Sequence, residues 1–168
     1  MNHLTALAKE FGIKTHGLQT YGGFPYSKHL NDVSDVLGRF GYTEDTPTGA
    51  LLQPCSWLHD CKEDCGKTHE DLVSLFGEKI ADIVECVTDE PGDNRKDRKL
   101  KTYPKTASNH LAIILKLADR IANVENSLSI TKKKFLVMYK SEHTDFKQHL
   151  YTPGPAANMW KHLDSLLV

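Results

Sequence analysis

The chain has 168 residues, a length at which one ordinary domain buries about two-thirds of its unfolded surface. Its 21 Lys and Arg side chains against 22 Asp and Glu leave a formal charge of −1, which excludes a general attraction to nucleic acid or to an anionic membrane. No stretch approaches the roughly 18 consecutive apolar residues of a membrane span, and the N-terminal MNHLTALAKEFG lacks the charged region and apolar run of a secretory signal.

Helical periodicity dominates, and no convincing alternating strand is present. Leu4, Leu7, Ala8 and Phe11 form an apolar stripe on a first helix. Tyr21-Gly22-Gly23-Phe24-Pro25 reads as a loop, because paired glycines and a proline interrupt a helix. A second helix carries Val33, Val36, Leu37 and Phe40 and stops at Gly41. Thr46-Pro47 reads as an N-cap and first-turn proline opening a third helix through Leu51, Leu52, Trp57 and Leu58. Thr68, with Asp71 three residues on, has the form of a capping box for a short helix to Phe76, broken at Gly77. Ile80, Ile83, Val84 and Val87 continue in a further helix. Residues 89–105 are polar and basic, punctuated by Pro91, Gly92 and Pro104. Ser108 is placed to cap an apolar helix that runs from Leu111 through Leu117 to the neighbourhood of Asn126. Phe135, Leu136, Met138 and Tyr139 mark another, which Pro153-Gly154-Pro155 separates from a last helix with Met159, Trp160, Leu163 and Leu166. There is no internal repeat, no low-complexity tract and no linker long enough to divide the chain. The expected fold class is all-α, a single helical domain over residues 1–168.

Cys55, Cys61, Cys65 and Cys86 match neither a CxxC pair nor a dense disulfide framework. They read as reduced thiols, Cys55 and Cys86 in the core, in a reducing, cytoplasmic compartment. Cys61 and Cys65, one helical turn apart, have a spacing that allows a zinc site, but better ligands stand beside them.

Those ligands lie in Trp57-Leu58-His59-Asp60-Cys61-Lys62-Glu63-Asp64. On a helix His59 and Glu63 share a face, as do Asp60 and Asp64. Three neighbouring carboxylates repel and are costly to desolvate unless a cation compensates them. Asp119 follows the apolar run Ile113-Ile114-Leu115-Lys116-Leu117-Ala118, and a carboxylate so placed is partly buried and needs either a metal or an ion pair with Lys116 or Arg120. His29 stands at a helix entry after the glycine-rich loop. Together the two histidines and two aspartates make a mixed nitrogen and oxygen donor set that suits manganese, iron or zinc better than calcium. Such a cation polarises a phosphoryl oxygen and supplies a nucleophile from water near neutral pH, with Glu63 and Asp64 beside it to orient or deprotonate that water.

Taken in order, GGFPYSKH, LHDCKED, THEDLVSLFGEKIADIVECVTD, LKLADRIANVENS and FLVMYKSEHTDF resemble the HD-type alarmone hydrolases of the RelA/SpoT kind and their small stand-alone relatives, over about His16 to Leu150. The resemblance implies an HD-type helical fold and one divalent cation, Mn2+ in that family, held by His29, His59, Asp60 and Asp119. It implies a catalytic-water role for Glu63 and Asp64 and a place for Asn123 near the nucleotide. The reaction implied is removal of pyrophosphate from the 3′ position of guanosine tetra- or pentaphosphate. The partner implied is thus a small-molecule nucleotide, with no nucleic acid, no membrane and an open oligomeric state, and the length leaves no room for a synthetase domain. Tyr21, Lys28, Arg95, Lys99 and Asn123 are the candidate substrate contacts.

Two departures bear on substrate. The family pattern HxGQxRxSGxPY reads HGLQTYGGFPY here, one residue shorter, with Tyr21 near the position of the basic residue, and Leu30 stands where a proline commonly follows the first histidine. Tyr21 either stacks on a base or packs on the surface. The basic run of Arg95, Lys96, Arg98, Lys99, Lys101 and Lys105 is either a phosphate-steering patch or a solvated helix face. Two alternatives remain open: the same chemistry on another nucleotide phosphate, and a non-catalytic nucleotide-binding module.

Overall fold

A computed structural model describes residues 2–129, 133–154 and 156–168. In chain order it contains α1 (His3–His16), β1 (Thr20–Tyr21), β2 (Phe24–Pro25), α2 (Ser27–Arg39), α3 (Gly49–Leu58), α4 (Cys61–Cys65), α5 (His69–Phe76), α6 (Glu78–Val87), α7 (Arg95–Ala107), α8 (His110–Ser129), α9 (Lys133–Leu150) and α10 (Ala157–Leu166). The all-α expectation holds. One part of the Tyr21–Pro25 loop is instead a small antiparallel hairpin, Thr20 opposite Pro25 and Tyr21 opposite Phe24. Gly22 and Gly23 turn it at φ 60° and 90°, the left-handed conformation that a two-residue hairpin turn needs and that glycine adopts without strain. Strands of two residues are too short to show a period of two.

The core is built around α8, which packs against α2, α3, α6, α7, α9 and α10. Its Leu115, Leu117, Ala118, Ile121 and Val124 are fully buried, on positions that go round the helix, as a helix enclosed by others requires. Lys116, Asp119, Arg120 and Asn123 interrupt that pattern at intervals of three and four, so they share one stripe. Helix α1 lies on α3, and α2 spans α3 and α8.

Local signals set most helix ends. Thr68 Oγ1 accepts the Asp71 N–H at 3.1 Å while Asp71 Oδ2 accepts the Thr68 N–H at 2.9 Å, the expected capping box. Gly77, at φ 82°, separates α5 from α6. Thr46 Oγ1 accepts the Gly49 N–H at 3.0 Å, so the Thr46-Pro47 cap operates on a turn just ahead of α3.

Three local expectations are corrected. Asn109, not Ser108, caps α8, its Oδ1 accepting the Leu111 N–H at 3.0 Å, because Ser108 is still closing the end of α7. Pro104 does not stop α7 but lies inside it, on the exposed side where water can take the carbonyl it leaves unpaired. Cys55 is fully buried, whereas Cys86 is only partly so, packed at the edge of the core; all the cysteines are free thiols. Of the Pro153-Gly154-Pro155 separator, Pro155 lies outside the described residues.

Candidate metal centre

Three elements converge on one point. Helix α2 brings His29 in its first turn, directly after the hairpin. Helix α3 stops at Leu58, and His59 and Asp60 occupy the turn before α4. Asp60 has φ −100° and ψ −2°, the bridge region in which active-site residues often sit. The single helix on which His59 and Glu63, and Asp60 and Asp64, would share faces is therefore broken: His59 and Asp60 turn toward α2 and α8, and Glu63 and Asp64 start again on α4. The third element, α8, presents Asp119 from its polar stripe.

The donor atoms crowd together. His29 Nε2 lies 3.3 Å from Asp119 Oδ1 and 3.5 Å from Asp60 Oδ2. His59 Nε2 lies 3.0 Å from Asp60 Oδ2 and 3.8 Å from Asp119 Oδ1. His29, His59 and Asp119 form a group able to hold a metal ion, their ligand atoms all within 4.8 Å of one another. Both histidines are buried, and the carboxylates are 19% and 20% exposed. The His59 Nδ1–H donates to the Ser56 carbonyl at 2.9 Å, which leaves Nε2 with its lone pair toward the cluster. That Nε2 is buried and, despite its closeness to Asp60, has no aligned hydrogen-bond partner. An orphaned imidazole nitrogen facing two carboxylates fits a divalent cation, and Lys116 and Arg120 are not Asp119's ion-pair partners: Lys116 donates to the Val87 carbonyl and Arg120 pairs with Glu142.

The two carboxylates draw protons onto the imidazoles, protons that a bound cation would displace. Burial opposes charge on His29, but Asp119 and Asp60 outweigh it and push its pKa up to about 10. His59 is also raised, against its burial, chiefly by Asp60. Burial alone raises Asp60 and Asp119, yet the imidazoles draw both below the usual carboxylate range. Concentrated negative charge of this kind is what a cation compensates.

Other candidates line the same cavity of about 180 Å³: Tyr21, Glu63, Asp64, Arg95, Lys99 and Asn123 all border it with His29, Asp60 and Asp119. Glu63 Oε1 accepts the Asp89 backbone N–H at 2.5 Å, and burial raises its pKa. Asp64 Oδ2 accepts from Gln19 Nε2 at 2.8 Å. Asn123 donates from Nδ2 to Asp119 Oδ1 at 2.5 Å and receives the Tyr21 hydroxyl at 2.6 Å. Lys28 lies apart, its ammonium 2.5 Å from Asp32 in a neighbouring groove between α2 and α8. The basic run is a helix face whose cations are largely paired within the protein: Arg95 with Glu142, Lys99 with Asp89, Lys101 with Asp97, Lys105 with Glu85 and Glu90.

Several residues in the cavity wall or behind it have no assigned role in the sequence reading. Tyr26 donates its hydroxyl to Asp60 Oδ2 at 2.6 Å. Glu142 holds Arg95 and Arg120 together, and the Arg120 guanidinium stacks over Tyr139 and Phe146 at 4.9 and 4.5 Å. His16, stacked on Tyr26 at 4.2 Å, bonds Gln19 at 2.8 Å and thereby backs Asp64. Only the polar stripe on α8 carried a sequence signal, its spacing; Tyr26, Gln19 and Glu142 reach the site across long stretches of chain.

No family model matches the chain. It is 36% identical over 123 residues to the guanosine-3′,5′-bis(diphosphate) 3′-pyrophosphohydrolase of Aquifex aeolicus, covering 70% of this chain and 17% of that one. It is 34% identical over 107 residues to the guanosine-3′,5′-bis(diphosphate) 3′-pyrophosphohydrolase MESH1 of Danio rerio, covering 62% and 56%. The chain thus spans about half the length of the small relative and about a sixth of the large one. Its fold is that of the solved structure of a metazoan ortholog of SpoT said to hydrolyse ppGpp and to play a role in starvation responses, with a TM-score of 0.82, 23% identity and coverage of 100% and 98%. These likenesses bear out the resemblance to the HD-type alarmone hydrolases.

Proposed function

We propose that this chain is a metal-dependent phosphohydrolase that removes the 3′-pyrophosphate of guanosine tetra- or pentaphosphate, with residues 1–168 acting as one HD-type domain. The observation that carries the proposal is the meeting of His29, His59, Asp60 and Asp119 around the orphaned His59 Nε2, in a cavity also bordered by Arg95 and Lys99. The likeness to pyrophosphohydrolases of this class supports it. Those four residues are the assigned ligands, and the mixed donor set favours Mn2+ or another transition metal over calcium. When bound, that cation supplies Lewis acidity toward a phosphoryl oxygen and a lowered pKa for water.

The chain's own residues do the rest. The Ser56 carbonyl fixes the His59 tautomer, Tyr26 holds Asp60 and Asn123 holds Asp119. Glu63, anchored through Oε1, uses Oε2 to take the proton of the attacking water, and its raised pKa makes it a better base near neutrality. Asp64, tethered by Gln19, orients the same water. The water oxygen bonds to phosphorus, the bond from phosphorus to the 3′ oxygen breaks, that oxygen takes up a proton from solvent while Glu63 gives its own back to solvent, and the products are pyrophosphate and the nucleoside 5′-diphosphate or triphosphate with a free 3′-hydroxyl. Arg95 and Lys99, set by Glu142 and Asp89, bind phosphate oxygens away from the metal. Such a substrate is a cytoplasmic small molecule. No helix among the described residues is long and apolar enough to cross a membrane.

A second reading rests on the hairpin, where Tyr21 brings a phenol rather than a cation into the cavity. It keeps the chemistry and changes the substrate to another phosphorylated nucleotide. Incubating the manganese-loaded protein with a panel of 3′-, 2′- and 5′-phosphorylated nucleotides, and measuring phosphate and pyrophosphate separately, decides between them. Pyrophosphate from the guanosine substrates alone supports the first reading; phosphate from a monophosphorylated nucleotide, with the tetraphosphate intact, replaces it by the second.

A further inference from the structure

We propose that Tyr21 is a positioning residue for the Asp119 carboxylate and acts on it through Asn123. The inference rests on the reading above that Asp119 is a metal ligand.

An asparagine amide has one acceptor oxygen and a donor NH2 group, and either end can face a given neighbour unless a second contact chooses. Here the choice is made. The two Asp119 oxygens accept only and so turn the amide nitrogen toward themselves, and the Tyr21 hydroxyl, donating to the outward-facing Asn123 Oδ1 at 2.6 Å, pins the amide in that orientation. The amide nitrogen then faces Asp119 and donates to its backbone carbonyl at 3.0 Å and to its Oδ1 at 2.5 Å. The reverse orientation sets an amide oxygen against a carboxylate oxygen, two acceptors with no hydrogen between them. Asp119 Oδ1, the oxygen so held, is the one that lies 3.3 Å from His29 Nε2.

The Tyr21 hydroxyl has little freedom of its own. Asn126, one turn beyond Asn123 on α8, hydrogen-bonds it as well. Its ring lies 4.7 Å from the His29 ring at a 31° tilt, which keeps the hairpin against a second ligand. Tyr26, at the end of the same hairpin, grips the other carboxylate directly. The β1–β2 hairpin and the residue that follows it thus supply one tyrosine for each metal carboxylate, and Tyr21 has work there that does not involve a base.

Calorimetric titration of Mn2+ into the metal-free protein tests this without any turnover. The set is wild type, Tyr21→Phe, Asn123→Ala and the double variant, with the metal-free melting temperature of each recorded. Tyr21→Phe is expected to weaken Mn2+ binding by about tenfold or more, in the range usual for groups that orient a metal ligand, with its metal-free melting temperature lowered by no more than about 2–4 °C for the lost hydrogen bond. The double variant is expected to bind within about twofold of Asn123→Ala, since removing the amide already removes the route by which the hydroxyl acts. Unaltered affinity in Tyr21→Phe, beside a wild type that binds, overturns this inference and leaves the metal assignment standing. Losses that multiply in the double variant overturn the route through Asn123. A wild type that binds no divalent cation overturns both the inference and the metal assignment beneath it.

Discussion

Lys99 reaches the cavity with its ammonium 2.9 Å from each oxygen of Asp89, yet burial and the nearby Lys116 pull its pKa down to about 8, only partly offset by Asp89. A lysine is charged below its pKa and neutral above it. Its attraction for phosphate is therefore present at neutral pH and lost as pH rises through about 8. The KM of the wild type should climb across that interval with kcat changing less, and Lys99→Met should show a raised KM that no longer responds to pH there. Glu63 works in the opposite sense: burial raises its pKa, and as a base it acts only when deprotonated. The acid limb of the kcat profile should lie above the ordinary glutamate range, and Glu63→Gln should lower kcat by about 10²–10⁴-fold with a small effect on KM. Steady-state kinetics over a pH series check both. At this scale the sequence was informative where chemistry is local. His59-Asp60 and Glu63-Asp64 are adjacent in the chain, and Asp119 is conspicuous after an apolar run. Tyr26, Gln19 and Glu142 were not legible, because each acts on a residue tens of positions away and looks like an ordinary polar side chain in its own segment.

Helix α8 shows why the elements were easier to read than their ends. Its core positions and its polar stripe both follow from helical spacing, so the stripe that carries Asp119 and Asn123 is implied once the helix is. The break between α3 and α4 is not, since no glycine or proline occurs between Trp57 and Cys65; the turn at His59-Asp60 is imposed by tertiary contacts with α2 and α8. The hairpin was masked by its length. One approach between elements is tight enough to test. A Cβ on Gly12 of α1 falls 2.3 Å from the Trp57 carbonyl oxygen of α3, which a glycine alone accommodates. Gly12→Ala must therefore push α1 off the helix that ends at Leu58, just before His59. Urea unfolding should show a loss of about 1–3 kcal/mol, and a midpoint equal to wild type would mean that the crossing is looser than described.

For the molecule as a whole, the centre ties together α2, the α3–α4 turn and α8, which otherwise oppose two carboxylates at close range. A cation that binds the folded chain should stabilise it by about 2.7 kcal/mol when present at a hundred times its dissociation constant. For a chain of this size that corresponds to a rise in melting temperature of about 5–10 °C. Calorimetry with and without Mn2+ checks this; a chelator should reverse the shift, and His59→Ala should abolish it. The all-helical architecture was open to the sequence because nearly every long segment has one apolar period. The charge balance of the basic segment was not, since apart from Asp97 the carboxylates that pair with α7 come from α6, α9 and the loop between α6 and α7.

Incubating the manganese-loaded protein with guanosine tetraphosphate, beside Asp119→Ala, and resolving the products by anion exchange decides whether this centre removes pyrophosphate. Guanosine diphosphate and pyrophosphate are expected in equal amounts from the wild type and neither from the variant. An intact tetraphosphate with the metal demonstrably bound, or equal turnover by Asp119→Ala, would contradict that function.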